Sequence, residues 1–335
     1  MSVINQRSKL SSNESARIWQ MKAWAIFLVI CAHCGDVPLD APPVGQMISR
    51  LLQTMGSLGV PIFFFLAGYV FRDKKLKPWL KSKVTGLLIP WFTCGLLVYL
   101  YVYLRKGGIS ALSLIRWLLG DGTYLWYLSV MVLLLLWARG IFCGVRKGYW
   151  TLPAAAVFSI IFSAVVLSLE YFSILTFHPY LNVFRWMWLF GLGLLSGHVS
   201  LLEKAGSCVL FILAWIMALV TLSALGACIT YWSWAFPLCA CMTVAVFLSS
   251  YISSKGIAAY MQTLGEDSFA VYLLHMPFAG VVTNLCNRIA DGSGLLTLSR
   301  PIAVLLITHG CIIFLKKTGS RIHLGKTVRI LLGLR

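Results

Sequence analysis

Ten long apolar stretches leave this chain little to fold into except a bundle of membrane-crossing helices. They run over residues 18–35, 47–71, 84–104, 124–145, 151–170, 181–200, 206–226, 229–252, 267–289 and 299–317. A hydrocarbon core of about 30 Å takes roughly 20 apolar residues in helical form. Composition points the same way: of 335 residues 59% are hydrophobic and 11% charged, with a mean hydropathy of +0.85. Soluble domains carry roughly 25% charged residues, and a chain with less than half that share needs lipid to cover its surface. Punctuation falls between the stretches, with Pro38, Pro42 and Pro43 after the first and Gly107 and Gly108 after the third. The longest connection, 105–123, is too short for a soluble domain. The expected fold is an all-α integral membrane protein of about ten transmembrane helices (residues 18–317), with a short N-terminal segment (1–17) and a basic tail (318–335).

A net charge of +18 would suggest a nucleic-acid partner in a soluble chain. Here the positive-inside rule accounts for it, because Lys and Arg accumulate in cytoplasmic loops. With the N-terminus inside, twenty of the 28 basic residues fall in inside segments, seven fall outside and Lys22 lies within the first span. Both termini are therefore expected in the cytoplasm, and no nucleic acid is expected as a partner. The first span lacks a small-x-small cleavage site and runs into His33, Cys34 and Asp36, so it reads as a retained helix rather than a cleaved leader.

The ten Cys are scattered through apolar stretches and do not suggest a disulfide framework. Cys31 and Cys34 form a CxxC in the order CAHC, without the His placement of a haem attachment site or a second pair to complete a zinc site. No metal and no permanently bound cofactor is expected.

Ionisable groups inside spans are costly and are functional candidates by default. Lys22 and His33 stand out in MKAWAIFLVICAH. Eleven residues at 100° each return to nearly the same helix face, about 16 Å further along the axis. Lys22 can snorkel to the inner interface; His33 has no such escape. Asp36, one turn on, could orient the His33 ring or be a solvated loop residue. Arg185, His275 and His309 lie within or at the ends of later spans. Glu266 and Asp267 read as N-terminal caps of the ninth helix. Tyr124, Trp126 and Tyr127 read as an aromatic belt at an outer helix start.

Five segments together resemble the acyltransferase 3 family, polytopic membrane acyltransferases that decorate bacterial surface glycans. The Lys22–x10–His33 segment is similar to the family's Arg–x10–His motif, with Lys as in the branch resembling fucose 4-O-acetylase. VPIFFFLAGYVF (60–71) resembles the family's FF-x-x-SGY/F segment, with Ala67 where Ser is usual. KSKVTGLLIPWF (81–92) resembles the basic run before LLxPY, LWYL (125–128) resembles LWFL, and LGEDSFAVYLLHMPF (264–278) resembles LGxxSxxIYLxHxP. One departure stands out: the family's second basic residue before the third span has no counterpart, Gly86 and Leu87 occupying that stretch.

The resemblance implies a bacterial cytoplasmic-membrane O-acyltransferase, moving an acyl group, usually acetyl, from cytoplasmic acyl-CoA (acetyl-CoA) to a hydroxyl of a surface or lipid-linked glycan. The cytoplasmic Arg72–Lys83 segment offers six cations for the donor's phosphates. Arg72, Lys81 and Lys83, with Lys22 extending the path inward, are the expected donor-binding residues. His33 is the expected general base for the sugar hydroxyl, with Lys22 beside it in the catalytic set. No Ser-His-Asp order surrounds it, so direct transfer and a transient acyl-His both stay open. Tyr69, Trp126 and Arg185 are expected on the acceptor side, and His275 carries over from its segment in a secondary role. The rival reading is a transporter or flippase of a lipid-linked saccharide, disfavoured by the lack of detectable repeats and of matched Gly/Pro-broken helices. A glycan polymerase would need a larger external loop than any here.

Overall fold

A computed structural model of the chain describes residues 10–334, apart from 39, 57, 58, 73, 177, 179, 205–254 and 290–292. Among the described residues there are helices and no strands. The helices are α1 Ser12–Cys34, α2 Pro43–Gly56, α3 Gly59–Tyr69, α4 Leu76–Lys83, a π-helical turn Val84–Leu88 and α5 Ile89–Lys106. They continue with α6 Ala111–Leu119, α7 Trp126–Arg146, α8 Leu152–Tyr171, α9 Val183–His198 and α10 Leu201–Lys204. The last three are α11 Lys255–Ile289, α12 Gly294–Arg321 and α13 Gly325–Leu332. Among the described residues, five stretches are long and apolar enough to cross a membrane: Leu76–Leu104, Trp126–Arg146, Leu152–Glu170, Gly256–Ile289 and Gly294–Arg321. They contain or closely match the expected spans 84–104, 124–145, 151–170, 267–289 and 299–317. The expected spans 206–226 and 229–252 lie outside the described residues.

Three local readings change. The stretch 47–71, expected as one span, is two helices, α2 and α3. Two glycines let the chain press against α1 there: a Cβ on Gly56 would lie 2.3 Å from the Ala32 amide nitrogen, and one on Gly59 2.6 Å from the Ala25 carbonyl. Hydropathy alone does not register such a close backbone approach. The connection 105–123 contains α6, started by a capping box in which Ser110 accepts from the Ser113 amide at 3.0 Å and stopped by Gly120 in the left-handed region. The segment 318–335 carries the end of α12 and then α13, which docks on α5: Thr93 Oγ1 donates to the Leu331 carbonyl at 2.8 Å, and Leu332 and Leu334 are buried.

The chain divides into two compact units. The first takes Met1–Met21, Pro61–Lys74 and Trp126–Ala259, and the second takes Lys22–Val60, Lys75–Leu125 and Tyr260–Arg335. In the first, α9 packs on α7 and α8, and its small residues admit backbone directly against backbone. A Cβ on Gly193 would lie 2.1 Å from the Phe65 carbonyl, and one on Gly197 2.5 Å from that of Tyr69. Small residues four apart are how apolar helices approach closely in lipid, where burial from water gives no drive between them. In the second unit, α12 packs on α2 and α13, and α5 on α6 and α13. On α2 the small or buried Gly45, Ser49, Leu52 and Gly56 form one face, while Val44, Met47, Leu51 and Met55 are exposed on the other.

Candidate functional site

The second unit brings two imidazoles together. His33 stands in the last turn of α1 and His275 in the middle of α11, with ring centroids 5.2 Å apart and planes inclined by 46°. His275 is fully buried, and its Nδ1 lies 2.7 Å from the Tyr272 carbonyl. Only an N–H makes that contact favourable, so in the neutral ring Nδ1 carries the proton and Nε2 keeps its lone pair. Nε2 is buried with no hydrogen-bond partner. The pair thus offers a basic nitrogen held in one orientation, with a second imidazole beside it.

The support around His275 follows from Pro277, two residues on. A proline inside a helix cannot donate to the carbonyl four residues back, which here is Leu273. The Tyr124 hydroxyl donates to that carbonyl at 2.8 Å, and the Tyr272 hydroxyl donates to the Tyr124 carbonyl in return. The Tyr124 ring meets His275 edge-on, with centroids 5.5 Å apart. Tyr124, read from sequence as an interfacial belt residue, is instead buried as a brace for the histidine. The available signal was Pro277, which announces an orphan carbonyl but not the group that fills it.

Arg300 was missed as well. Counted among the seven outside cations, it is completely buried on α12. Its guanidinium donates to the Asp36 carbonyl at 2.6 Å and to the Asn287 side chain, tying α12 to α11 and to the residues just after His33. Asp36 itself is exposed, and its carboxylate makes no hydrogen bond to His33. Lys22 lies half-buried on the same continuous helix as His33, so the eleven-residue register between them holds.

The other expected site residues divide between the units. Lys81 is exposed and Lys83 half-buried on α4, in the second unit with Lys22. Arg72 belongs to the first unit, where it donates to the carbonyls of Tyr69 and Phe71 at 3.0 and 2.9 Å. Tyr69 is fully buried there, its hydroxyl donating to Glu14 and accepting from the Leu202 amide at 3.2 Å. That hydroxyl is committed to packing. Trp126 sits in an aromatic cluster with Trp186 at 5.1 Å, Tyr180 at 5.2 Å and Phe64 at 6.3 Å. Arg185 pairs with Glu170 at 3.3 Å, a carboxylate that also accepts from Asn182.

Glu266 and Asp267 are not helix caps. Both lie well inside α11, which is continuous from Lys255 to Ile289. Asp267 is buried; Lys316 of α12 donates to its Oδ1, and His309 Nε2 lies 3.4 Å from its Oδ2. The Asp267 side chain is 1% and that of Lys316 26% exposed, so it is loss of the lysine that strands a buried charge, at a cost of up to about 3–5 kcal/mol, whereas apolar replacement of both partners is often neutral. Asp267→Leu and Lys316→Met should therefore each lower the melting midpoint of the detergent-solubilised protein, and the double variant should recover most of the loss. Simple additivity of the two losses would mean that the pair contributes nothing as a pair.

Among the described residues, no group of three or more His, Cys, Asp or Glu side chains is arranged to hold a metal ion. In comparisons with known proteins, a family model described as an acyltransferase domain matches residues 16–316, a range that includes both histidines and their braces. No curated protein and no solved structure matches the chain.

Proposed function

Because the chain belongs to the acyltransferase 3 family, we propose that this membrane acyltransferase carries an acyl group, acetyl in the first instance, from cytoplasmic acyl-CoA to a hydroxyl of a bacterial surface or lipid-linked glycan. The observation that carries the reading is the His33–His275 pair, with a buried, unpartnered imidazole nitrogen held by a backbone contact and a tyrosine brace. A sugar hydroxyl is a poor nucleophile, and a near-neutral base within hydrogen-bond reach of it removes its proton as it attacks. His33 takes that proton while the oxygen adds to the thioester carbonyl. The C–S bond then breaks, the ester forms, and the proton passes to the departing CoA thiolate. His275 sets the orientation and basicity of its neighbour. Its fixed tautomer leaves it an acceptor, so it favours a donating N–H on the facing ring.

Lys22, further along the same helix face, serves the donor end as a compact point charge. Lys81 and Lys83 serve the CoA phosphates. Trp126 and Arg185 keep the proposed acceptor contacts, while Arg72 and Tyr69 act chiefly in holding the end of α3.

The test is expression in a host that lacks surface-glycan acylation but makes the source strain's glycan, followed by mass spectrometry of base-labile O-acyl groups. Their appearance with the wild-type protein is the expected result. Their absence, at verified membrane abundance, would turn the assignment toward a flippase of the same lipid-linked saccharide.

A further inference from the structure

The stretch that reads as a plain connection between two spans borders a half-open cavity. Its volume is about 410 Å³, and Tyr103, Ser113, Arg116, Trp117, Asp121 and Thr123 are among the residues that line it. That falls within the range of small-molecule sites, roughly 300–1,000 Å³. We propose that this cavity between α5 and α6 is a saccharide subsite, which holds a neutral sugar residue of the acceptor next to the one that is modified. The proposal rests on the glycan-acylation reading above.

The lining suits a sugar better than an ion or a lipid tail. Tyr103 and Trp117 meet nearly at right angles, 87° with centroids 5.9 Å apart, and make an apolar corner for the C–H face of a pyranose. Arg116 and Asp121 stand beside them, 4.0 Å apart and more than half exposed. A guanidinium fork supplies donors only and a carboxylate acceptors only. Vicinal hydroxyls, which both donate and accept, complement that combination. The Asp121 carboxylate also offsets the charge of Arg116, so a free anion gains little there.

The walls are fixed before any ligand arrives, which limits the ordering cost of binding. Trp117 Nε1 donates to the Gly95 carbonyl at 3.1 Å, and Thr123 Oγ1 donates to the Trp117 carbonyl at 3.0 Å. Tyr99 stacks on the back of Tyr103 at 4.4 Å. The capping box at Ser110 and Ser113 pins the start of α6.

Position supplies the link to the chemistry. Trp117 touches Tyr124 edge-on at 6.4 Å, Tyr124 touches His275 at 5.5 Å, and His275 faces His33 at 5.2 Å. All four side chains belong to the second unit. The cavity wall is thus two ring contacts from His275, a separation that a short oligosaccharide spans.

Two measurements on the protein in lipid nanodiscs test this. The first is calorimetric binding of the repeat oligosaccharide released by mild acid from the source strain's surface polysaccharide, with inorganic phosphate as an anionic control. Wild type and Gly140→Ala, a change into open space on α7 away from the site, should bind the oligosaccharide alike, and Asp121→Asn and Tyr103→Ala should each bind it about tenfold more weakly, the effect of losing one charged hydrogen bond or aromatic contact. Binding of phosphate alone, or equal oligosaccharide binding by all four proteins, would overturn the proposal. The second is acceptor kinetics: Asp121→Asn should raise KM for the acceptor about tenfold with kcat and the donor KM unchanged, the mark of uniform binding lost. An unchanged acceptor KM with normal turnover would remove the subsite and leave the acyltransferase standing. A wild-type protein that binds the oligosaccharide yet acylates nothing would remove the acyltransferase reading and leave the cavity as a saccharide site.

Discussion

His33→Ala is expected to lower O-acyl transfer by about 10²–10⁴-fold, the usual contribution of a positioned base, at unchanged membrane abundance. The abundance should hold because His33 lies in the last turn of α1, half-buried, with neighbouring Cys31 and Cys34 rather than the imidazole filling the tight packing there. His33→Gln keeps the size and a hydrogen-bonding end but cannot accept a proton at neutral pH, so it should be as inactive as alanine. The readout is the amount of base-labile acyl group per glycan repeat, measured by mass spectrometry at matched protein levels. Modification at the wild-type rate by either variant would dismiss His33 as the base. Incubation with labelled acyl-CoA and no acceptor separates the two routes. Label retained on the wild-type protein and lost in His33→Ala marks a covalent acyl-His; none on either marks direct transfer.

Gly193→Ala should destabilise the first unit by more than overpacking usually costs, which is about 1–3 kcal/mol. The added Cβ would lie 2.1 Å from the Phe65 carbonyl oxygen and 2.9 Å from the Tyr69 amide nitrogen. Both are backbone atoms, so no side chain can rotate away and α3 and α9 must separate. Separation would loosen the contact of Phe64 with Trp186 and the hydrogen bond from the Leu202 amide, just after α9, to the Tyr69 hydroxyl. Gly140→Ala is the matched control: it sits in mid-helix on α7 with open space where the methyl would go. Alanine is the better helix former by about 1 kcal/mol, so this variant should melt at or slightly above the wild-type temperature. Thermal midpoints in detergent, read by fluorescence-detected size exclusion, compare them directly. Equal midpoints for the two variants would show that the close approach of α3 and α9 gives way without cost.

The contrast between these glycines runs through the whole molecule. Gly140 and Gly193 look alike in sequence, each a small residue in an apolar stretch; only the helix lying opposite distinguishes them. What the linear sequence determined is what depends on neighbours a few positions away. Apolar runs announce helices because lipid and backbone hydrogen bonding act segment by segment. The register of Lys22 and His33 on one face follows from helical pitch alone. The segment around His275 was recognisable as a motif, although nothing in it revealed that its ring would stand 5.2 Å from that of His33.

Tertiary structure decided the rest. Asp267 is paired with Lys316, 49 residues away, and local rules assigned it to a helix start instead. Arg300 reaches back to Asp36 across 264 residues, and Tyr124 completes the carbonyl of Leu273 across 149. Each pairing exists because two particular helices became neighbours. In an apolar chain many helix faces are nearly equivalent partners, so hydropathy cannot choose among them. The choice rests on close backbone approach at glycines and on buried polar groups that must find a partner. Those same constraints hold the two histidines together.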